Sequence, residues 1–99
     1  MIDFTKIIEF DWAEGNVRKN DKHGVSTAEA EQVFFNQPLL VIDDTKHSQG
    51  ECRFHALGKT NEERTLHITF TLRNAGERIR VISAREMHKK ERKIYEQTT

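Results

Sequence analysis

Two stretches of strict alternation between apolar and polar residues constrain the fold of this chain most. Cys52, Phe54 and Ala56 share one side of ECRFHALG, and RTLHITFTLR places apolar residues at 66, 68, 70 and 72. An alternation of period two is typical of a strand with one buried face. Short turn sequences, GKTNEER and NAGE, separate these segments from each other and from RIRVIS. The pattern therefore predicts an antiparallel meander of three strands.

Helix signals lie on either side of this meander. AEGNVRKNDKHG, after a first short strand ending at FDW, predicts a short helix that ends at Gly24. Ser26 and Glu29 form the pattern of a capping box, which predicts a second helix that ends before Pro38. LLVI then predicts another strand, and a last helix is expected over roughly residues 86–97. The predicted fold is α+β, with a mostly antiparallel sheet, N-terminal helices packed on one face and a C-terminal helix.

Length, composition and hydropathy limit the classes of protein to which the chain can belong. Its 99 residues suit one domain, spanning residues 1–99. We expect no membrane association, because no apolar run approaches spanning length and the N-terminus lacks the pattern of a signal peptide. Cys52 is the one cysteine in the sequence. A single cysteine cannot form an internal disulfide, so we expect a cytoplasmic protein.

The zero net charge conceals two oppositely charged halves. Residues 1–51 contain five Lys and Arg against ten Asp and Glu, whereas residues 52–99 contain eleven against six. Such an asymmetry indicates an anionic partner for the C-terminal half. Ordinary ion pairing between the two halves would explain the same composition.

The polar positions of the predicted strands indicate where that partner would bind. If the apolar faces turn toward the helices, a cationic and hydroxyl-rich face remains on the other side of the sheet: Arg53, His55, His67, Thr69, Thr71 and Arg80. Guanidinium groups bind phosphate oxygens, and an imidazole exchanges protons near neutral pH. The alternative interpretation is an ordinary solvated sheet face.

Several motifs in order along the chain resemble one protein family. KHGVS at 22–26, the GE.R...LG pattern at 50–58, IRVISAR at 79–85 and ER..Y at 91–95 resemble the BrnT family of ribonuclease toxins from type II toxin-antitoxin modules. The resemblance covers nearly the whole chain. It implies a RelE-like fold, an RNA substrate and metal-independent cleavage with no cofactor. It also implies a ribbon-helix-helix antitoxin that alone binds operator DNA, in a possible dimer or heterotetramer with the toxin.

The implied chemistry assigns roles to particular residues. Attack of a 2′-hydroxyl on the adjacent phosphate needs a proton acceptor, a cation beside the phosphorane and a proton donor. Arg80 and Arg85 are the candidates for phosphate binding, because guanidinium stays charged and binds phosphate with two hydrogen bonds. Lys22 or His23 would be the acid or base, with Arg53 helping to hold the RNA backbone.

One geometric condition accompanies this assignment. In an unbroken strand Arg80 and Arg85 point to opposite faces, so both can serve one site only if the strand ends or bulges near Ser83. We expect the strand to end there.

Further candidates for RNA binding come from the same face and from the last helix. His55 and His67 belong to the first group, and Lys89 and Lys90 are the predicted basic contacts of the helix, which would attract RNA or an acidic antitoxin segment. Trp12 has two interpretations, a platform for base stacking or a core residue.

Two other functions remain open at this point. A metal-dependent nuclease would draw on Asp43, Asp44, His47 and Cys52, but their spacing matches no known metal site. A non-catalytic module would use the cationic face to hold nucleic acid or an acidic antitoxin segment, acting as a co-repressor. Lys22 or His23 within a few ångströms of the Arg80 and Arg85 guanidinium groups would favour catalysis, whereas a site with no titratable group nearby would favour binding alone.

Overall fold

The computed structural model describes residues 2–7, 9–12, 23–46 and 50–98. The elements are a 3-10 turn at Phe4–Lys6, β1 Glu9–Asp11, α1 Thr27–Val33, β2 Leu40–Asp44, β3 Arg53–Lys59, β4 Thr65–Arg73, β5 Arg78–Glu86 and α2 Lys89–Thr98. The strands form a five-stranded sheet at the centre of the molecule, in the order β1-β5-β4-β3-β2.

The sheet is mixed. The pairings β2–β3, β3–β4 and β4–β5 are antiparallel, which is the meander that the alternation predicts. The fourth pairing, between β1 and β5, is parallel. Antiparallel pairing throughout the sheet is therefore not borne out, because the chain returns to its first strand from across the whole sheet and no local turn fixes that direction.

The N-terminal half has one α-helix among its described residues, so the prediction of N-terminal helices in the plural is not borne out. The segment of the first predicted helix, 13–22, lies outside the described residues. The second prediction is confirmed in detail: the Ser26 hydroxyl accepts a hydrogen bond from the Glu29 N–H, and the Glu29 carboxylate accepts one from the Ser26 N–H, both at 3.1 Å. This capping box fixes the start of α1.

The core lies between α1 and one face of the sheet. Alternate positions of β3, β4 and β5 face the helix, and their side chains are fully buried: Ala56, Leu66, Ile68, Phe70, Ile79, Val81 and Ala84. Gly58 allows α1 to approach β3 closely, since a Cβ there would lie 2.7 Å from Val33 Cγ1. The apolar stripe of α1 is thus matched to the apolar face of the meander.

The second helix packs on the opposite face of the sheet. Tyr95 of α2 and Met87, just before it, are buried against Leu57 and Leu40. The Tyr95 hydroxyl donates a hydrogen bond of 2.6 Å to the Pro38 carbonyl oxygen, and burial raises the pKa of Tyr95. One end of this face of the sheet, which lies opposite to the core, is therefore covered by a helix.

Strand β5 does not end at Ser83, so that prediction is wrong. It continues to Glu86, and its pairing with β4 shifts by one residue. Thr69 pairs with Ser83 while Phe70 pairs with Val81, which leaves Ile82 as the extra residue of a β-bulge. The bulge was the other way of meeting the same geometric condition.

Candidate active site on the polar sheet face

The strand register places most of the charged side chains of the sheet on one side. Residues that pair across two neighbouring strands point to the same face of the sheet, and alternate residues within one strand also share a face. The polar sheet face, as we call it, consists of the polar and charged residues that the register places on this side: Glu9, Asp11, Asp44, Arg53, His55, Lys59, Thr65, His67, Thr69, Thr71, Arg73, Arg78, Arg80, Ser83 and Arg85. The predicted grouping of Arg53, His55, His67, Thr69, Thr71 and Arg80 on one face agrees with this register.

The bulge brings both candidate phosphate-binding arginines to this face. Arg80 pairs with Thr71 and Arg85 pairs with His67, two β4 residues that share a side. Four positions of β4 separate these partners, or about 13 Å along the strand. Arg80 and Arg85 therefore occupy the same face at opposite ends of a short track.

Arg80 lies in the middle of the sheet, between Arg53 across β4 and Asp11 on β1. Its Nε is 3.5 Å from an Asp11 carboxylate oxygen, and this buried Nε has no hydrogen-bond partner among the described residues. About a third of the side chain is exposed. The guanidinium is thus held by a long ion pair and retains donors for a phosphate.

Arg85 makes a tighter contact. Its two terminal nitrogens donate to the two carboxylate oxygens of Glu91 on α2, at 2.8 and 2.9 Å. Hydrogen bonding from Arg85 is the main reason why the pKa of Glu91 falls to about 2. Arg85 and Glu91 therefore fasten the first turn of α2 to the sheet, and Tyr95 fastens the second. Two residues of the ER..Y motif thus anchor the helix.

His67 lies under that helix and is buried, which corrects the prediction of an exposed side chain. Its Nε2 is 3.6 Å from a Glu91 oxygen. Burial, followed by the nearby Arg85 guanidinium, lowers the pKa of His67 to about 4 even though Glu91 opposes the shift. Thr71 is also buried, and its hydroxyl donates to the Cys52 carbonyl oxygen. Both residues were expected on an open surface, but α2 covers His67 and a backbone carbonyl engages Thr71.

The protonation of His67 makes the fold sensitive to acid. The pKa of His67 is about 4 in the folded chain and has its ordinary value of 6.5 in the unfolded chain. Between these pH values the unfolded chain binds the extra proton, so the free energy of unfolding decreases as pH falls from 6.5 toward 4. The full contribution is about 3 kcal/mol. We expect the unfolding free energy, measured by urea titration, to fall over pH 6.5 to 5 in the wild-type chain and less steeply in His67→Gln. His88→Gln, at an exposed position, should keep the wild-type slope; equal slopes in all three would contradict the prediction.

His55 occupies the centre of the polar sheet face. Its Nε2 lies 2.9 Å from Oδ2 of the buried Asp44, and its Nδ1 lies 3.0 Å from the Thr69 hydroxyl. The ring also contacts His67, with 4.8 Å between centroids. About a quarter of the His55 side chain is exposed. It is the more accessible of the two histidines.

The remaining candidates are spread around the molecule. Lys22 lies outside the described residues. His23 is exposed in the turn before α1, and the Arg64 side chain ties this turn to β5 by donating to the Gly24 carbonyl at 2.7 Å and to Glu86 at 3.0 Å. No hydrogen bond or ion pair within the described residues joins His23 to Arg80 or Arg85.

The other predicted RNA contacts differ in their accessibility. Trp12 is partly buried against the core and donates from Nε1 to a Glu31 carboxylate oxygen at 2.8 Å, which favours the core interpretation. Lys89 and Lys90 are exposed at the start of α2. Arg53, on β3, is partly buried and lies next to Asp44 in the register.

Sequence reasoning missed the acidic partners of this face. Asp11, Asp44 and Glu91 each approach a basic residue that the sequence singles out, yet they come from β1, β2 and α2. Only the strand register and the packing of α2 reveal these contacts. Arg73 and Arg78, an adjacent cross-strand pair, were missed as well, although the alternation could have found them.

The helix side of the sheet has different chemistry. A groove of about 720 Å³ runs between the N-terminal segment and β2, with an apolar floor that includes Phe4, Val41 and Phe54. Charged groups at its edge include Asp3, Lys6 and Asp43. Such a groove offers few donors for phosphate, so the polar sheet face is the candidate site for an anionic substrate.

Other classes of site can be compared with the described residues. Within residues 2–7, 9–12, 23–46 and 50–98, no group of three or more His, Cys, Asp or Glu side chains could hold a metal ion. Asp44 hydrogen-bonds His55, while His47 lies outside the described residues. In the same ranges, no helix has the length and apolar composition needed to span a bilayer.

Comparisons with known proteins agree with the geometry. Residues 12–91 match the model of a family described as the ribonuclease toxin, BrnT, of the type II toxin-antitoxin system. The structure is similar to the crystal structure of the Brucella abortus ribonuclease toxin, BrnT, with a TM-score of 0.61 and 25% sequence identity over 83% of this chain and 99% of that one. No curated protein sequence matches the chain.

Proposed function

Since the chain belongs to the BrnT family of ribonuclease toxins of type II toxin-antitoxin systems, we propose that it cleaves RNA without a metal ion, on its polar sheet face. A ribonuclease toxin of this kind has an RNA substrate and an antitoxin partner. In the proposed reaction, the 2′-hydroxyl attacks the adjacent phosphorus and the bond to the 5′-oxygen breaks. The products are a 2′,3′-cyclic phosphate and a free 5′-hydroxyl.

The observation that carries this proposal is the register of β5. Because of the bulge at Ile82, Arg80 and Arg85 share a face with Arg53 and with a histidine. Three guanidinium groups and an imidazole supply the cations and the proton-transfer group that phosphoryl transfer requires. The presence of a titratable group on this face favours catalysis over binding alone.

Roles follow from the environment of each group. Arg80, with Arg53 across β4, binds the scissile phosphate and stabilises the charge of the phosphorane. Arg85 binds a neighbouring phosphate and also holds α2 through Glu91. Lys22 or His23 remains our proposed acid for the leaving 5′-oxygen. Lys89 and Lys90 would extend the track for the RNA backbone.

The decisive experiment is incubation of the pure chain with a mixed-sequence RNA oligonucleotide in EDTA. We expect cleavage by the wild-type chain, a cyclic phosphate on the 5′ product, and no cleavage of the same oligonucleotide made with 2′-deoxyribose. An Arg80→Ala, Arg85→Ala double variant should be inactive, whereas Lys6→Ala, which removes one exposed positive charge from the helix side, should cleave normally. Intact RNA with wild type, or equal cleavage by the double variant, contradicts the proposal.

A second function has one observation in its favour. Arg80 and Arg85 already have the acidic partners Asp11 and Glu91. Arginines that already hold a carboxylate have less charge available for a phosphorane, and these contacts are of the kind that an acidic antitoxin segment would make. RNA retention with no cleavage in the experiment above would identify the chain as such a module.

For the partner, we propose a ribbon-helix-helix antitoxin in the cytoplasm. The antitoxin would block the polar sheet face, in a dimer or heterotetramer. It would also be the component of the complex that binds operator DNA. The basic residues of α2 and the arginines of the sheet support an acidic segment as the part that reaches this face.

A further inference from the structure

His55 is held in the orientation of a general base. The carboxylate of Asp44 accepts the hydrogen of Nε2 at 2.9 Å, and this fixes Nδ1 as the acceptor in a neutral ring. The Thr69 hydroxyl, 3.0 Å away, can then donate to Nδ1. The free protein thus already places a hydroxyl group where a hydroxyl substrate would have to hydrogen-bond.

The position of His55 in the register connects it to both candidate phosphate sites. His55 pairs with Thr69, which pairs with Ser83. His55, Thr69 and Ser83 thus form one row across the sheet. The neighbouring row on one side contains Arg53 and Arg80, and the neighbouring row on the other side contains His67 and Arg85. A scissile phosphate held by Arg53 and Arg80, with the RNA backbone continuing toward Arg85, would place the adjacent 2′-hydroxyl over the imidazole, where Nδ1 lies.

We propose that His55 is the general base of RNA cleavage and that Asp44 is its positioning residue. This inference rests on the proposed ribonuclease function and names the group that accepts the proton. It assigns to His55 a chemical step in addition to the RNA contact expected from the sequence.

The step balances as follows. The 2′-hydroxyl takes the place of the Thr69 hydroxyl at Nδ1 of His55. It transfers its proton to Nδ1 as the 2′-oxygen forms a bond to phosphorus. The bond from phosphorus to the 5′-oxygen breaks, and the 5′-oxygen takes a proton from the acid or from water. The imidazolium returns its proton to solvent before the next cycle, with Asp44 stabilising the charged ring in the meantime.

His67 is the less suitable base, although it touches His55. It is buried under α2, and its Nε2 faces Glu91. Its Nδ1 has no hydrogen-bond partner among the described residues. The substrate would have to displace α2 to reach this ring, whereas His55 is open to a bound nucleotide.

The charges around His55 come from several elements. The negative charges are Asp44 on β2 and, beyond His67, Glu91 of α2. The positive charges are Arg53 on its own strand, and Arg80 and Arg85 on β5.

The test uses single-turnover cleavage of the mixed-sequence RNA oligonucleotide by the full chain in EDTA, measured from pH 5 to 9. For wild type, we expect the rate to rise with pH and then level off, as catalysis by a general base requires. His55→Ala should lower the plateau rate by roughly 10²–10⁴-fold and abolish the rise. Added imidazole should restore part of the rate to this variant. Asp44→Asn should lower the plateau rate by roughly 10²–10⁴-fold, with little change in the protein concentration that gives half of the maximal rate.

His88→Gln, an exposed histidine outside the polar sheet face, is the matched control and should show the wild-type pH profile. His55→Asn, which is smaller but still polar, provides a second variant if His55→Ala does not fold, as judged by circular dichroism. Wild-type rates in folded His55 variants, or a loss that imidazole does not restore, overturn the inference. If those variants cleave normally while the Arg80, Arg85 double variant is inactive, the proposed function stands without this base. A wild-type chain that does not cleave RNA overturns both.

Discussion

Replacing Phe70 with alanine is expected to lower the free energy of unfolding by about 3–5 kcal/mol. Phe70 is fully buried in the centre of β4. Its ring meets Phe34 edge to face, with centroids 5.1 Å apart, and stacks on Phe54 at 5.4 Å. Truncation would remove both aromatic contacts and leave a cavity between sheet and helix. Urea denaturation followed by circular dichroism measures the change.

The matched control for this substitution is Phe35→Ala. Phe35 is 75% exposed just beyond the end of α1, so the same change in side chain should alter stability by only about 0.5 kcal/mol. Similar losses in the two variants would mean that the core does not depend on the aromatic cluster around Phe70.

Replacing Arg80 with alanine is expected to lower the rate of RNA cleavage by roughly 10²–10³-fold, because the phosphorane would lose a guanidinium donor. Stability should change little, because the ion pair with Asp11 is long and about a third exposed on both sides. Arg80→Lys should recover only part of the rate, since an ammonium cannot donate two parallel hydrogen bonds to a phosphate. Single-turnover kinetics in EDTA, together with urea denaturation, separate the two effects.

Arg85→Ala provides the comparison for Arg80. Loss of the two hydrogen bonds to Glu91 should detach the start of α2, so this variant should lose stability as well as activity. If Arg80→Ala cleaves RNA at the wild-type rate, Arg80 is not the phosphate-binding residue. If Arg80→Ala cleaves RNA at the wild-type rate and also unfolds at a much lower urea concentration, the role of Arg80 is structural.

The parts of the fold that could be predicted from the sequence are those determined by neighbouring residues. Alternation along β3 and β4 identifies the buried face, because each side chain follows from the one two positions earlier. Ser26 and Glu29 identify the start of α1 because both halves of a capping box lie within one turn. The same local rule predicts that Arg53, His55 and Arg80 point away from the apolar positions of their own strands.

Other features depend on residues far apart in the chain. The parallel pairing of β1 with β5, and the packing of α2 over His67, leave no periodic signal in the sequence. The bulge at Ile82 is a further example: an alternation that continues unbroken would turn Arg85 toward the core. The acidic partners of the site, Asp11 and Asp44, were missed for the same reason, since their roles depend on which strands become neighbours.

The pairing of the first strand with the last also affects when the protein can become active during synthesis. Asp11 and its partner Arg80 lie on strands from opposite ends of the fold, and such distant pairs close slowly because the intervening chain must first be ordered. A growing polypeptide would have the helix and the edge strand β2 well before it has any of β5. The proposed phosphate site would then be completed only after β5 has been synthesised, so that chains that stop before β5 would lack both Arg80 and Arg85.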